Sequence, residues 1–487
     1  MEEAKESIDR IIGIIESGYE RDIDSDRTFP PEVALEVAPE VAPEVAPKRL
    51  FTILTEEVPS QAEITFILTT VCKIIRPVFD ISPCCDNNTF NGEWTIELND
   101  ICVIIKLFKG ESGCVDYLVF SGVVDEHTSA GNALCVLEST KTGDASSRNT
   151  SVNQRISKFM VFRKMYPRST ASLVMFYNSM WSRKAPSATA VLGLRLMKSL
   201  GIECYHGEVG RFEGLGDSLN IRAFDSVDDL ITEKNRIREQ KGNVSVKIRV
   251  SGNTYRISCK LDKGDSAGKG KISHDPNVGL LVGLINLIRG RNADAEFVIQ
   301  NHGVDQVYFD KKPRSKFWYA IDRIPVEFEG RRIVHHPTLP AKYFVLEHRC
   351  TEKQATILLS QVAKSKYTCI FSNHSGCALT NIKTRTVDVI VERTMPRPDL
   401  LFYNSSDNEL VIIEGKLEKC ISAGVAQLSH SHLARFVALI KHSYPECSVR
   451  KGLCITIDSV DNMQKYGALE FPVLFALDDS GKFQSCL

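Results

Sequence analysis

From Leu50 onward, short apolar runs with the two-residue periodicity of strands alternate with longer segments of helical periodicity. The run at 101–108 predicts a buried strand. Ile156 and Phe159 share one face of a predicted helix over 151–165. This alternation predicts an α/β protein whose mixed sheets are flanked by helices.

The segment before this alternation has a different composition and predicts two further units. Residues 31–47 read PEVALEVAPEVAPEVAP, and the regular prolines predict an extended linker over 30–47. Ahead of it, residues 1–29 form an acidic segment with a short amphipathic helix. At about 150 residues per domain, a chain of 487 residues has room for about three domains. The predicted domains are 48–230, 231–340 and 341–487.

The charge of the chain is divided unevenly. Residues 1–47 carry four basic and thirteen acidic side chains, and the rest of the chain carries 56 basic and 48 acidic ones, a net of +8. A mildly basic body is compatible with a nucleic-acid partner. An ordinary solvated surface is equally compatible with this charge.

Cysteine usage and hydropathy predict a cellular location. The 15 cysteines are an odd number and are scattered through apolar stretches, which favours buried thiols in a reducing compartment. The longest apolar run, residues 279–288, is shorter than the ~18–20 residues of a membrane span. The N-terminus is acidic and does not resemble a signal peptide. We therefore expect a cytoplasmic protein with no membrane association.

A basic hairpin is predicted in the middle segment. Apolar residues alternate with polar ones on both sides of a turn at 251–254. The polar face carries four cations, which are Lys247, Arg249, Arg256 and Lys260. Like charges on one face repel each other, and a bound polyanion would relieve that repulsion. The alternative is a solvated edge hairpin whose charges protect it from aggregation.

The most informative stretch is a second hairpin near the C-terminus. Two apolar strands flank a four-residue turn, so that Asn404 pairs with Glu409 and Asp399 lies opposite Glu414. Lys416, two residues beyond Glu414, projects from the same face. Two carboxylates and an ammonium group are therefore expected to converge.

This group of side chains suits Mg²⁺ chemistry. Asp399 and Glu414 can hold the ion while it keeps most of its waters, and the ion lowers the pKa of a water and neutralises a phosphate. Lys416 can orient that water or offset developing charge. The alternative is an ordinary hairpin with a surface ion pair.

A second constellation lies in the first predicted domain. Asp116 begins one apolar strand, and Glu138 ends another, with Lys141 shortly after it. Glu138 and Lys141 are three residues apart, so a bulge or turn must bring the lysine round to the carboxylates. Candidate phosphate contacts follow in the chain, namely Arg148, Gln154 and Arg155.

Pro398-Asp399 and Glu414-Gly415-Lys416 together resemble the PD-(D/E)XK nucleases of the restriction-endonuclease-like fold. The resemblance implies a restriction-endonuclease-like core, Mg²⁺ as cofactor and phosphodiester hydrolysis. It also implies a glutamine in the helix after the strand pair, for which Gln427 is the candidate. Three segments are further similar to large type II restriction endonucleases, namely 138–159, 274–279 and 299–303. Which of the two constellations would be catalytic stays open.

The resemblance implies double-stranded DNA as partner, and a homodimer if the recognised site is palindromic. A restriction enzyme would also need a separate DNA methyltransferase. Two alternatives remain. One is a structure-specific repair or recombination nuclease, and the other is a non-catalytic DNA-binding protein that retains the nuclease fold.

Overall fold

The computed structural model describes residues 48–74, 79–110, 113–140, 151–178, 188–208, 211–239, 246–262, 276–291, 293–302, 319–320, 325–328, 331–334, 339–346, 351–373, 378–381, 387–391 and 395–487. Lys48–Leu487 forms one compact unit. The predictions for residues 1–29 and 30–47 lie outside the described residues. Among the described helices, none is long and apolar enough to cross a membrane.

The first sheet is a mixed sheet of ten strands. Its order is β2-β3-β4-β1-β5-β6-β7-β8-β9, and β15 pairs with β4. The strands are β1 (Arg49–Thr55), β2 (Ser82–Asp86), β3 (Thr89–Leu98), β4 (Ile101–Gly110), β5 (Tyr117–Ser121), β6 (Cys135–Thr140), β7 (Ser172–Tyr177), β8 (Ile202–Glu208), β9 (Arg211–Gly214) and β15 (Phe344–Leu346). β5 is antiparallel to β1 and β6, whereas β6, β7 and β8 are parallel to one another.

The middle sheet has five strands in the order β10-β11-β12-β13-β14. They are β10 (Val246–Ser251), β11 (Thr254–Asp262), β12 (Asp294–His302), β13 (Pro325–Phe328) and β14 (Arg331–Val334). The two outer pairs are antiparallel hairpins, and the two central pairs are parallel.

The C-terminal sheet has six strands in the order β16-β19-β20-β21-β22-β23, and β17 and β18 form a separate pair. The strands are β16 (Thr368–Ser372), β17 (Ala378–Thr380), β18 (Val387–Ile390), β19 (Leu400–Asn404), β20 (Glu409–Leu417), β21 (Ser448–Ile457), β22 (Val473–Asp478) and β23 (Phe483–Ser485). β19 and β20 form an antiparallel hairpin, and β20, β21 and β22 are parallel.

Helices connect the parallel strands and cover the sheets. They are α1 (Gln61–Phe66), α2 (Ser151–Met165), α3 (Ala188–Ser199), α4 (Leu215–Ser218), α5 (Val227–Glu239), α6 (Pro276–Gly290), α7 (Glu352–Val362), α8 (Ile421–Leu428) and α9 (His430–Ser443). A π-helical turn, Ile67–Val71, continues α1. The predicted helix over 151–165 is confirmed, with Ile156 and Phe159 fully buried.

Three hydrophobic cores lie between the sheets and the helices that cover them. One core joins a face of the first sheet to α2, α3 and α6 and continues to the middle sheet, for example through Ile257. The second joins the opposite face of the first sheet to α1, α7 and the C-terminal sheet. The third lies between the far face of the C-terminal sheet and the pair α8 and α9. The first and C-terminal sheets therefore share a core.

The predicted α/β class with mixed sheets and flanking helices is confirmed. The three sheets fall within the predicted domains 48–230, 231–340 and 341–487, apart from β15, which joins the first sheet. The division into three domains stays a prediction.

One helix boundary was predicted wrongly. The periodicity of residues 421–442 predicts a single helix, but Ser429 has an extended conformation and separates α8 from α9. The ammonium of Lys451 donates a hydrogen bond of 2.7 Å to the carbonyl oxygen of Leu428, which satisfies one acceptor at the end of α8. The hydrophobic periodicity of a segment gives no information about this tertiary contact.

Candidate functional site

The β19/β20 hairpin brings Asp399 and Glu414 together in the predicted register. Leu400 pairs with Ile413, and Asn404 pairs with Glu409. One residue before the strand, the amide of Asp399 donates to the carbonyl oxygen of Ile413 at 3.1 Å. The predicted register is therefore confirmed from Asn404 and Glu409 to Leu400 and Ile413, and Asp399 and Glu414 are the residues that adjoin this last pair.

Lys416 completes this group. Its Nζ lies 2.6 Å from Oε1 of Glu414 and also donates to the carbonyl oxygen of Gly415 at 2.6 Å. The exposed fractions of Asp399, Glu414 and Lys416 are 9%, 5% and 9%. These values argue against a surface ion pair, because such pairs are well exposed.

The burial of these charges changes their titration. Burial, and then the charge of Asp399, raise the pKa of Glu414 to about 7 although the hydrogen bond from Lys416 opposes the shift. Burial alone would lower the pKa of Lys416, but its hydrogen bond to Glu414 and the surrounding carboxylates raise it above its usual value. Lys416 is therefore a cation at neutral pH, suited to donating hydrogen bonds and not to accepting a proton.

A third carboxylate comes from Glu352, which the sequence analysis missed. Its Oε1 lies 3.5 Å from Nζ of Lys416. Glu352 is the first residue of α7, which begins at a capping box formed by Thr351 and Gln354. The capping box was visible in the sequence and predicts the start of a helix, but not its position against β20. We call Asp399, Glu414, Lys416 and Glu352 the C-terminal centre.

The carboxylate of Asp399 is held by its neighbours. The amide of Gly415 donates to Oδ2 of Asp399 at 2.8 Å. Nδ2 of Asn373 lies 3.5 Å from Oδ1 of Asp399, and Nε of Arg397 donates to Oδ1 of Asn373 at 2.8 Å. This chain of contacts fixes the orientation of Asp399 toward β20.

Gly415 allows α7 to approach β20 closely. A Cβ added at this position would lie 2.6 Å from Cγ2 of Thr356 and 3.1 Å from Cγ of Glu352. We expect Gly415→Ala to lower the free energy of unfolding by about 1–3 kcal/mol, because overpacking a filled contact forces its neighbours to shift. Urea denaturation would measure the change.

Gly290→Ala is the matched control, because a Cβ at the end of α6 would meet no atom within 4 Å. We expect it to change stability by less than about 1 kcal/mol. Equal effects of the two substitutions would contradict the close packing of α7 on β20.

The second constellation is also assembled. Asp116 precedes Tyr117, which pairs with Leu137, so Asp116 lies opposite Glu138 across β5 and β6. The amide of Ser139 donates to Oδ2 of Asp116 at 2.9 Å. Glu138 is buried to the same degree as the core, with 1% of it exposed.

Lys158, which the sequence analysis missed, contacts both acids of this constellation. Its Nζ lies 2.5 Å from Oε1 of Glu138 and 3.0 Å from Oδ1 of Asp116. Nε of Arg155 lies 3.3 Å from Oε2 of Glu138. The three-residue spacing of Arg155 and Lys158 on a predicted helix was the available signal.

The other candidates near this constellation are not described in full. Lys141 and Arg148 lie outside the described residues. Gln154 lies on α2, but its side chain is not among those described. Arg155 contacts Glu138 as well as the carbonyl oxygen of Ser139, at 3.4 Å from Nη2. Its predicted contact with phosphate stays a prediction.

Another carboxylate reaches this constellation from a helix start. Oε1 of Glu63 accepts a hydrogen bond of 2.5 Å from Oγ of Ser139. Glu63 belongs to the capping box with Ser60 that begins α1. Burial, and then the charge of Asp116, raise the pKa of Glu138 well above its usual value. We call Glu63, Asp116, Glu138, Arg155 and Lys158 the first centre.

The basic hairpin forms between β10 and β11. Arg249 pairs directly with Arg256, and Lys247 pairs with Ser258, so the three cations share a face as predicted. Lys247 and Arg249 are exposed, whereas Nη1 of Arg256 is paired with Oε2 of Glu296 at 3.2 Å. The side chain of Lys260 is not among those described. The charge available to a partner is thus smaller than the sequence predicts.

Gln427 lies on α8, three residues after Gly424. A Cβ at Gly424 would lie 2.7 Å from Cγ of Lys416, so this part of α8 packs on the C-terminal centre. Oε1 of Gln427 is buried, and among the described residues it accepts no hydrogen bond. Its predicted role beside the centre stays a prediction.

The chain matches no protein-family model, and comparisons with curated proteins and with solved structures give no significant match. The chemistry of the two centres must therefore be argued from their own side chains.

The C-terminal centre fits a hydrated Mg²⁺ ion. Three carboxylates oppose one ammonium group, and a bound cation would stabilise the charged form of Glu414, which burial and then the charge of Asp399 disfavour. Within the described part of the chain, no group of three or more His, Cys, Asp or Glu side chains is close enough to hold a metal alone. Mg²⁺ suits this arrangement, because it usually binds through one or two carboxylates and keeps several waters.

Proposed function

We propose that this chain is a Mg²⁺-dependent endonuclease that hydrolyses phosphodiester bonds in double-stranded DNA, with the C-terminal centre as its active site. One observation carries the proposal. Asp399 and Glu414 adjoin the last residue pair between β19 and β20, Lys416 lies 2.6 Å from Glu414, and no more than 9% of each of these three residues is exposed. Buried charges are costly unless they are paired or serve a site that uses them.

The surrounding elements support a restriction-endonuclease-like core. A helix, α7, precedes an antiparallel hairpin whose second strand carries the glutamate and the lysine. The helix α8 follows, and β21 then returns parallel to β20. This order agrees with the family that the motif resembles.

Asp399 and Glu414 would hold the magnesium ion through carboxylate oxygens. When bound, the ion would lower the pKa of an attacking water and neutralise negative charge on the phosphate. Hydrolysis forms one bond between a water oxygen and phosphorus and breaks one bond between phosphorus and a sugar oxygen. One proton of the water ends on the departing sugar hydroxyl, and the other stays on the new phosphate or passes to solvent.

Lys416 would act on charge and orientation. Its raised pKa keeps it protonated, so it donates hydrogen bonds to the attacking water or to a phosphate oxygen as negative charge increases there. Glu352 and Glu414 hold its ammonium group in place. Asn373 and Gly415 orient Asp399 in the same way.

Sequence-specific cleavage of the type II kind is the form of the activity that we propose. Lys247 and Arg249 provide exposed cations for the DNA backbone. A homodimer would match a palindromic site, and host DNA would be protected by a separate methyltransferase.

Cleavage of defined DNA tests this function. We expect purified protein with Mg²⁺ to convert closed-circular plasmid and unmethylated genomic DNA into discrete fragments, and EDTA to prevent it. Glu414→Gln should lose this activity. Glu97→Gln is the control, because Glu97 is exposed and contacts Lys48 and the thiol of Cys102, away from both centres.

Other outcomes would overturn parts of the proposal. Cleavage at DNA ends or junctions, with closed plasmid left intact, would replace sequence-specific cleavage by structure-specific cleavage. Binding of DNA without cleavage of any substrate, in Mg²⁺ or Mn²⁺, would replace the nuclease by a DNA-binding protein.

A further inference from the structure

The first and C-terminal sheets repeat one strand arrangement. Along β1-β5-β6-β7-β8-β9, neighbouring strands are antiparallel, antiparallel, parallel, parallel and antiparallel. The path β16-β19-β20-β21-β22-β23 has the same series of directions. A crossover through α2 leads from β6 to β7, as α8 and α9 lead from β20 to β21. Six strands of the first sheet are therefore equivalent, strand by strand, to the six strands of the C-terminal sheet.

The two pairs of acids occupy equivalent positions in this arrangement. Asp116 and Asp399 each precede the first strand of an antiparallel pair by one residue, and Glu138 and Glu414 each follow the residue with which that strand begins its pairing. In both cases the amide after the glutamate donates to Oδ2 of the aspartate, at 2.9 Å and 2.8 Å. A surface ion pair would not reproduce this backbone contact.

A third carboxylate reaches each centre from the first turn of a helix. Glu63 is the third residue of α1 and Glu352 is the first residue of α7, and both helices begin at a capping box. Both helices, α1 and α7, pack in the core that the two sheets share. Glu63 contacts Ser139, the residue after Glu138, and Glu352 reaches the residues after Glu414.

The lysines of the two centres come from different elements, but each contacts the glutamate of its own centre. Thr140 stands two residues after Glu138, where the C-terminal centre has Lys416. In the first centre Lys158 reaches the glutamate from α2, at 2.5 Å, as Lys416 does from its strand at 2.6 Å. Each centre thus places one ammonium group against the buried glutamate.

Both centres have an excess of negative charge. In the C-terminal centre three carboxylates oppose one lysine, an excess of two. In the first centre Glu63, Asp116 and Glu138 oppose Lys158 and Arg155, an excess of one. A bound divalent cation would offset the negative charge of either centre.

Glu138 also has an oxygen that a cation could use. Its Oε2 is buried and accepts no hydrogen bond among the described residues. Nε of Arg155 lies 3.3 Å from this oxygen and forms an ion pair with it, but not a hydrogen bond. A buried carboxylate oxygen without a hydrogen bond is costly. Asp116, opposite it, keeps 31% of its side chain exposed, so the centre is open to solvent on that side.

We propose that the first centre is a second divalent-cation site and a second phosphodiester-hydrolysing site, so that one chain carries a cleavage centre for each DNA strand. The hydrolysis assigned to the first centre rests on the proposed function. It forms and breaks the same bonds, and moves the same protons, as hydrolysis at the C-terminal centre. The binding of a second cation is a separate claim that can be measured without cleavage.

Counting bound Mn²⁺ by the electron paramagnetic resonance signal of the free ion tests the second site. We expect two ions per chain for the wild type and for Glu97→Gln, and one ion for Glu138→Gln or Glu414→Gln. The count is per chain, so it does not depend on the oligomeric state. Should Glu138→Gln fail to fold, judged by its melting curve, Asp116→Asn at the more exposed acid takes its place. A wild-type count of one, unchanged in the first-centre variant, would overturn the proposal.

Plasmid topology gives the second readout. We expect the wild type to linearise closed-circular plasmid, and each single variant to accumulate nicked circles at least about tenfold over linear product. If the first-centre variant linearises plasmid at the wild-type rate, the claim that each centre cuts one DNA strand is wrong. Two bound ions without any cleavage would support the second site and refute the nuclease, so the two claims can fail separately.

Discussion

Replacing Lys416 with methionine is expected to lower the rate at which closed-circular plasmid becomes linear by about 10²–10³-fold, the usual cost of removing one preorganised donor from a site where charge develops. Methionine keeps much of the side-chain volume in a position that is 9% exposed. Because Lys416 is not a metal ligand in the proposed mechanism, the number of bound Mn²⁺ ions should stay the same. Single-turnover cleavage at saturating Mg²⁺ and pH 8.5, where Glu414 is ionised, would measure the effect.

Lys482→Met is the matched control for this substitution. Lys482 belongs to the turn between β22 and β23 of the same sheet, and its 49% exposed side chain pairs with Asp461. An exposed ion pair contributes little, so cleavage should be unchanged. A Lys416 variant that cuts within about threefold of the wild type, or one that loses its metal, would contradict the role given to this ammonium group.

The geometry of the C-terminal hairpin could be predicted from sequence because it is local. A four-residue turn between two strands sets the register, and the register sets which side chains share a face. Asp399, Glu414 and Lys416 therefore followed from counting residues, and the structure has the same pairing.

The contacts made over long distances in the sequence could not be predicted. Glu352 precedes Lys416 by 64 residues, and Glu63 precedes Ser139 by 76, so no local pattern joins them. The same limit applies to Lys158, which reaches Glu138 only because α2 packs on β6 in the way the core dictates. Sequence periodicity indicated the faces of these elements but not which elements would meet.

The equivalence of the two centres was also hidden in the sequence. The spacing from aspartate to glutamate is 22 residues in the first centre and 15 in the C-terminal one, and the lysines come from different elements. Only strand directions and register reveal that the positions correspond. The middle sheet, from β10 to β14, has the last four of these five strand directions, so five of the six strands of the arrangement occur a third time.

The stability of the metal-free protein is expected to fall as pH rises from about 4.5 to 7, and Glu414→Gln should remove about 3 kcal/mol of that fall. The pKa of Glu414 is about 7 in the folded protein and near 4.5 when the group is solvated. Below pH 4.5 the carboxyl is protonated in both states and costs nothing. Between these values the unfolded chain releases the proton first, which favours unfolding, and above pH 7 the full cost of the buried charge is present.

Urea denaturation at pH 5 and pH 8 in EDTA would measure this dependence for the wild type, Glu414→Gln and the exposed control Glu97→Gln. An equal pH dependence in the wild type and the Glu414 variant would refute the assignment of the raised pKa to Glu414. Mg²⁺ binds the ionised carboxylate, so its addition should stabilise the wild type more at pH 8 than at pH 5. The charge that destabilises the empty centre is therefore the one that the proposed cation would use.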